Sequence, residues 1–193
     1  MARRIVIIQG HPDPAGDRFC HALADAYADG AEAAGLGVKR IEVAKLEFPL
    51  LRTQADFEKG SPLPQVAAAQ EAIRWADHLV IVYPLWLGMM PALLKGFFEQ
   101  VFRPGFAHRT GARGWEALLK GRSARIVVTM GMPALIYRWY FGAHGLKSLE
   151  RSILRFVGIK PIRETLIGMV GSLNERKSKT WLEKLRALGT SGQ

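Results

Sequence analysis

Three short stretches of this chain hold residue types that could bind an anion, stack on a flat ring and move a proton. The first is GHPDPAGDR, residues 10–18, where His11 and Arg18 could make charge-assisted bonds to a phosphate. The second is Pro84-Leu85-Trp86-Leu87-Gly88, an aromatic and aliphatic run too apolar for an ordinary solvent loop. The third is TMGMPALIYRWYFGAHG, residues 129–145, which carries Tyr137 and His144 as proton-capable groups. Taken singly, each has an ordinary explanation: a surface His in a turn, a core Trp, a hydrogen-bonded Tyr–His pair. Together they point to a site. An apolar shelf with free backbone N–H and C=O groups suits a flat, heteroaromatic, hydrogen-bonding ring, and flavin fits that description.

Elements able to position these stretches follow from the hydrophobic periodicity. Strands are predicted at residues 4–9, 38–43, 78–83, 125–129 and 161–167, and helices at 19–34, 63–76, 91–102, 145–157 and 174–188. Pro91 suits a helix start, since its fixed φ and missing N–H do no harm there. Residues 44–62 and 103–121 read as long irregular loops. Strands that alternate with helices call for a parallel sheet covered on both faces. Five of them match a flavodoxin-like, doubly wound α/β/α order, 2-1-3-4-5. Residues 1–189 read as one domain, and 190–193 as a disordered tail. In such a sheet the loops after strands 1, 3 and 4 share one edge, where ligands bind. The first of these loops precedes a helix whose N-terminal N–H groups make a phosphate seat. Asp17 is a candidate N-cap there.

Composition excludes several classes. The single cysteine, Cys20, leaves no internal disulfide and reads as a small core residue inside the first helix. The five histidines have no metal-ligand spacing, and there is no G-x-S-x-G elbow, Walker pattern or G-x-G-x-x-G fingerprint. No apolar run is long enough to span a membrane, and the one after Arg4 is too short for a signal-peptide core, so a cytoplasmic location is expected. The net charge of +10 is one-sided: residues 1–99 hold 10 Lys+Arg and 12 Asp+Glu, residues 100–193 hold 17 and 5. The balance suggests either a plain solvated basic face or an anionic partner, such as a dinucleotide phosphate, an acidic protein, a membrane surface or nucleic acid. No nucleic-acid motif accompanies the charge.

The segments IVIIQGHPDPAGDRFCHALADAY, ADHLVIVYPLWLGMMPALLKGFFEQVFRPGFAH and TMGMPALIYRWYFGAHG resemble the flavodoxin-like NAD(P)H:quinone oxidoreductase family. The middle block is the most specific. The resemblance implies that His11, Arg18, Phe19 and Cys20 surround a flavin phosphate. Pro84, Leu85, Trp86 and Leu87 would run along the isoalloxazine ring, and Thr129, Met130, Gly131 and Met132 would face its pyrimidine end. Tyr137 and His144 match the family's tyrosine and histidine near the flavin carbonyl, as catalytic residues. The family is typically dimeric, with the site completed by the partner. Phe106-Ala107-His108 resembles the segment that reaches across.

The chain departs from the family at Arg18 and Cys20, where Ser or Thr and Asn are usual, at Met130 and Met132, and at His108, where Tyr is common. These changes leave FMN and FAD both open. Residues 44–62 with Arg176, Lys177 and Lys179 could hold the adenosine diphosphate half of FAD. The implied activity is two-electron, ping-pong transfer of hydride from NAD(P)H through flavin N5 to a quinone-like acceptor. An alternative is a flavin-binding ancillary subunit of a membrane transport system, with the basic half docked on its partner. A one-electron carrier role fits poorly, because such carriers are usually acidic.

Overall fold

The apolar runs become central strands because both faces of the sheet are covered, as a parallel sheet requires. The computed structural model describes residues 2–111 and 114–193. In chain order its elements are β1 (Arg4–Gln9), α1 (Phe19–Ala33), β2 (Gly37–Glu42), α2 (Gln54–Lys59), α3 (Pro64–Trp75), β3 (His78–Pro84) and α4 (Ala92–Val101). There follow β4 (His108–Gly111), β5 (Gly114–Ala117), β6 (Ser123–Thr129), α5 (Ala134–Trp139), α6 (His144–Lys147), β7 (Ile162–Ile167) and α7 (Glu175–Thr190). The main sheet runs β2-β1-β3-β6-β7, parallel throughout. With the β4–β5 hairpin set aside, this is the expected order 2-1-3-4-5.

Each face has its own core. On one, α1 and α7 bury Leu23, Tyr27 and Leu185 against Ile5, Ile7, Val80 and Val82. These two helices touch backbone to backbone. A Cβ on Gly30 would lie 2.0 Å from the Arg186 carbonyl oxygen, and one on Gly189 would lie 2.0 Å from that of Tyr27. On the other face, α3, α4 and the segment after β6 bury Ile73, Leu94, Phe97 and Leu149 against Val6, Leu79, Ile81 and Ile126.

Several expectations are corrected. Residues 44–62 are not irregular throughout, because Thr53 and Asp56 form a reciprocal capping box that starts α2. Residues 103–121 contain the antiparallel β4–β5 hairpin, held by stacking of Trp115 on His108 at 4.3 Å and on Phe156 at 4.1 Å. Residues 112 and 113 of that loop lie outside the described residues. Pro91 occupies the N-cap of α4, one position before its first helical turn. The tail predicted to be disordered is anchored: α7 continues to Thr190, and the Gln193 carbonyl oxygen accepts from the Tyr27 hydroxyl (3.1 Å) and Arg125 Nε (2.8 Å). A short polar sequence gave no periodicity to reveal these tertiary contacts.

Candidate functional site

Parallel strands all end on one edge, so the loops after β1, β3 and β6 meet there, and short contacts tie them together. The Gly10 N–H donates to the Val82 carbonyl (2.8 Å), and the Leu85 N–H donates to the Thr129 carbonyl (2.7 Å). Cys20 Sγ lies 3.1 Å from Thr129 Oγ1, which links the start of α1 to the end of β6. The His11 ring meets the edge of Trp86, with centroids 6.2 Å apart.

Pro84 is buried as the last residue of β3, and Leu85 is half-buried. Trp86 and Met89 then exchange two 2.9 Å backbone hydrogen bonds around Leu87 (φ 48°) and Gly88 (φ 78°). Positive φ at both central residues makes this a tight, hairpin-type turn. It leaves Trp86 51% exposed and the Leu87 side chain entirely in solvent. A left-handed conformation costs a non-glycine residue roughly 1–2 kcal/mol. Among the described residues, Leu87, Ala143 and Met169 are the non-glycine residues with positive φ, and all three lie in loops at this edge. Backbone strain of this kind gathers at functional sites.

The phosphate side differs in detail from expectation. Arg18, not Asp17, is the N-cap of α1, and no side chain caps the helix. Its guanidinium is engaged by Asp13 (2.8 Å) and Asp17 (3.2 Å), which draws both carboxylates away from the free N–H groups of the first turn. Phe19 is half-buried and Cys20 buried. His11 Nδ1 accepts from the Asp13 N–H (3.1 Å), so the neutral ring carries its proton on Nε2, as a donor. Burial, and then the nearby His21, hold His11 below the usual imidazole range, which keeps it neutral at pH 7. Gln9 Nε2 and His21 Nδ1 are buried beside this seat without partners.

The third loop is pinned to the end of β7. The Met130 N–H donates to the Ile167 carbonyl (2.9 Å), and the Val170 and Met169 N–H groups donate back to Met130 and Met132 (both 3.1 Å). Met130 is buried, Met132 half-buried and Gly131 exposed, with nothing within 4 Å of where its Cβ would be. Tyr137 is 1% exposed; its hydroxyl accepts from the Leu146 N–H (3.1 Å) and donates to the Gly88 carbonyl (3.3 Å). Burial raises its pKa. Tyr137 therefore rivets the second loop to the third. His144, by contrast, is exposed at the start of α6, beyond the strained Ala143.

Gly145 was not singled out from the sequence, yet it is what lets these two loops meet. A Cβ there would lie 2.2 Å from the Gly88 carbonyl oxygen and 2.9 Å from Met89 Cα. Phe106 and Ala107 are buried in their own chain, and His108 stacks within the hairpin. Residues 44–62 lie on the α4 side, where Gln100 and Arg103 hold the Pro49, Asp56 and Gly60 carbonyls. Arg176, Lys177 and Lys179 belong to α7 on the other face, so the two do not form the joint adenosine diphosphate seat the sequence suggested.

Burial raises the Cys20 thiol to about 12, against a smaller opposing effect from Thr129. A thiol that is protonated and packed is inert. At pH 8 a thiol reagent should label Cys20 in the native protein far more slowly than in the denatured chain; equal rates would place it on the surface.

Comparison with known proteins agrees with this architecture. The chain is 25% identical over 185 residues to an uncharacterized NAD(P)H oxidoreductase of Haemophilus influenzae, covering 92% of this chain and 90% of that one. It is 23% identical over 194 residues to rat (Rattus norvegicus) NAD(P)H dehydrogenase [quinone] 1, covering 88% and 70%. The chain spans 64% to 90% of the length of the first curated relatives it matches. Among solved structures, an FMN-dependent NADH-azoreductase from Bacillus anthracis in complex with FMN superposes with a TM-score of 0.76 at 18% identity, covering 98% of both chains. The model of the flavodoxin-like fold family matches residues 3–188, and the chain belongs to that family.

Proposed function

We propose that the protein is a flavin-dependent NAD(P)H oxidoreductase that holds FMN or FAD non-covalently and delivers two electrons to a quinone-like acceptor. The observation that carries this reading is the half-exposed Trp86 turn, set between an uncapped helix N-terminus and an exposed histidine on one strained edge. These features fit the cofactor from three sides. The first turn of α1 offers N–H donors and a positive dipole end for the phosphate, with the His11 Nε2–H beside it. Leu85, Trp86 and Leu87 give a flat apolar ledge. Gly131 leaves open space in which its own backbone groups and the Met132 N–H can meet the polar end of the ring, while Thr129 and Met130 hold the loop in place through their bonds to Leu85, Ile167 and Val170. The relatives' names add support from outside the chain.

A bound flavin would supply the redox chemistry, accepting hydride from NAD(P)H and passing two electrons to the acceptor from one shared face, which gives ping-pong kinetics. The chain supplies position and electrostatics. Tyr137 fixes the ledge turn relative to the third loop through its two backbone bonds. His144 stands exposed at the rim, where it can donate to negative charge that develops on the ring. Leu135, Ile136, Trp139, Tyr140 and Phe141 are exposed beside it and form the apolar surface that a second copy would cover.

Purified protein should be yellow, or should bind added FMN or FAD stoichiometrically. It should then oxidise NAD(P)H when a quinone is present. Mass analysis of the released cofactor identifies the flavin. A colourless protein that takes up neither flavin in titration would end this reading.

A further inference from the structure

The opposite edge of the sheet, where the strands begin, holds a second polar cluster. Arg3 precedes β1, His78 opens β3 and Ser123 opens β6, while Arg125 and Arg163 are paired in register near the start of β6 and β7. A cavity of about 280 Å³ sits here, lined by Arg3, His78, Ser123, Pro161, Arg163 and Gln193. Arg3 Nη2 donates to Ser123 Oγ (2.6 Å), and the buried Arg125 donates to Thr165 Oγ1 and the Gln193 main-chain oxygen (both 2.8 Å). Arg163 donates to the Gln193 side-chain oxygen.

Among the described residues, no acidic side chain cancels the charge of the two arginines that line this cavity. Arg4, Arg18, Arg40, Arg74, Arg109, Arg138, Arg155 and Arg186 each pair with an Asp or Glu. Among the described residues, Arg3 and Arg163, which line the cavity, have no such partner; the same holds for Arg125, bound instead to Thr165 and Gln193, and for Arg52, Arg103, Arg122, Arg151 and Arg176 elsewhere. Asp77, next to His78, is held by Arg4 through bonds of 3.1 and 2.8 Å.

His78 reports the resulting field. Because Arg3 donates to Ser123 Oγ, the serine proton is free to point at His78 Nδ1, 2.8 Å away, and the imidazole proton stays on Nε2, which is buried without a partner. Burial first, and then Arg3, Arg125 and Arg163, push this imidazole down to about 3, so it adds no charge of its own. What remains is a concave, donor-rich and positively charged site. Guanidinium groups match the oxygens of phosphate in geometry and charge. The volume falls just below the roughly 300 Å³ at which pockets for drug-sized ligands begin.

We propose that this cavity binds a small oxoanion, inorganic phosphate or a phosphomonoester, between Arg3 and Arg163. The site lies across the sheet from the three loops, so the proposal stands whether or not the protein holds flavin. Calorimetric titration of the full chain with phosphate and with glycerol phosphate, each against sodium chloride of equal ionic strength, tests it. Saturable binding is expected for at least one of the two. Which one binds tells free phosphate from an organic phosphate ester.

Arg163→Gln and Arg3→Gln should each weaken that binding about tenfold or more, as for a charged hydrogen bond, and leave flavin uptake unchanged. Arg163 is exposed, so its variant is expected to fold. Two results would overturn the proposal. One is no saturable binding by the native protein, which would make the arginines only an anchor for the Gln193 segment. The other is binding of equal strength in both variants, which would place the anion elsewhere, for example at the start of α1.

Discussion

Replacing Gly145 with alanine should abolish flavin binding and lower the thermal midpoint by about 6–12 °C. The new Cβ would sit 2.2 Å from a backbone oxygen and 2.9 Å from a backbone Cα, and no side-chain rotamer relieves either contact. Overpacking of this kind costs about 3 kcal/mol, which for a domain of this size corresponds to the quoted shift in midpoint, at roughly 2–4 °C per kcal/mol. The turn at Leu87–Gly88 would be pushed off α6, breaking the Tyr137 bridge and tilting the ledge that carries Trp86. Gly131→Ala is the control for stability alone, because that residue borders the proposed ring slot. Its Cβ meets nothing within 4 Å, so stability should change by less than about 0.5 kcal/mol. Differential scanning calorimetry and flavin fluorescence titration read both effects. If the Gly145 variant holds flavin as tightly as the native protein, the contact between the two loops is not what builds the site.

His144→Ala, with flavin bound, should slow flavin reduction by NAD(P)H by about a hundredfold, within the tenfold to thousandfold range of a single proton donor or charge-stabilising group. The exposed ring has little packing to lose, so the thermal midpoint should barely move. Tyr137→Phe should behave in the opposite way. It strands the buried Leu146 N–H and frees the Gly88 carbonyl, at a cost of about 1–3 kcal/mol. Its effect on rate should arise through a displaced ledge. Stopped-flow reduction combined with thermal denaturation separates the two roles. An unchanged rate in the His144 variant would remove that residue from the chemistry, and an unchanged midpoint in the Tyr137 variant would remove the rivet.

The strands of the main sheet, the long helices and the shared edge of three loops were legible in the sequence, because burial on both faces writes itself as runs of Ile, Val and Leu, and helix amphipathicity as spacing. The Trp86 shelf was legible too, since an apolar turn between prolines is conspicuous wherever it falls. Other features depend on neighbours far away in the chain. The β4–β5 hairpin is fixed by Trp115 stacking on Phe156, and the C-terminal residues by Tyr27 and Arg125. Tyr137 could be read as a proton-capable group, but its burial and its two backbone partners turned it into a joint between loops. Gly145 and Gly30 carry no side chain, so nothing local marks them. Only the approach of another backbone shows why a Cβ is forbidden there. The sequence by itself determined which segments pair and which edge gathers the three loops, because those follow from periodicity and chirality. Tertiary structure decided which side chains at that edge are free to act, because exposure and hydrogen-bond partners are properties of the packed chain.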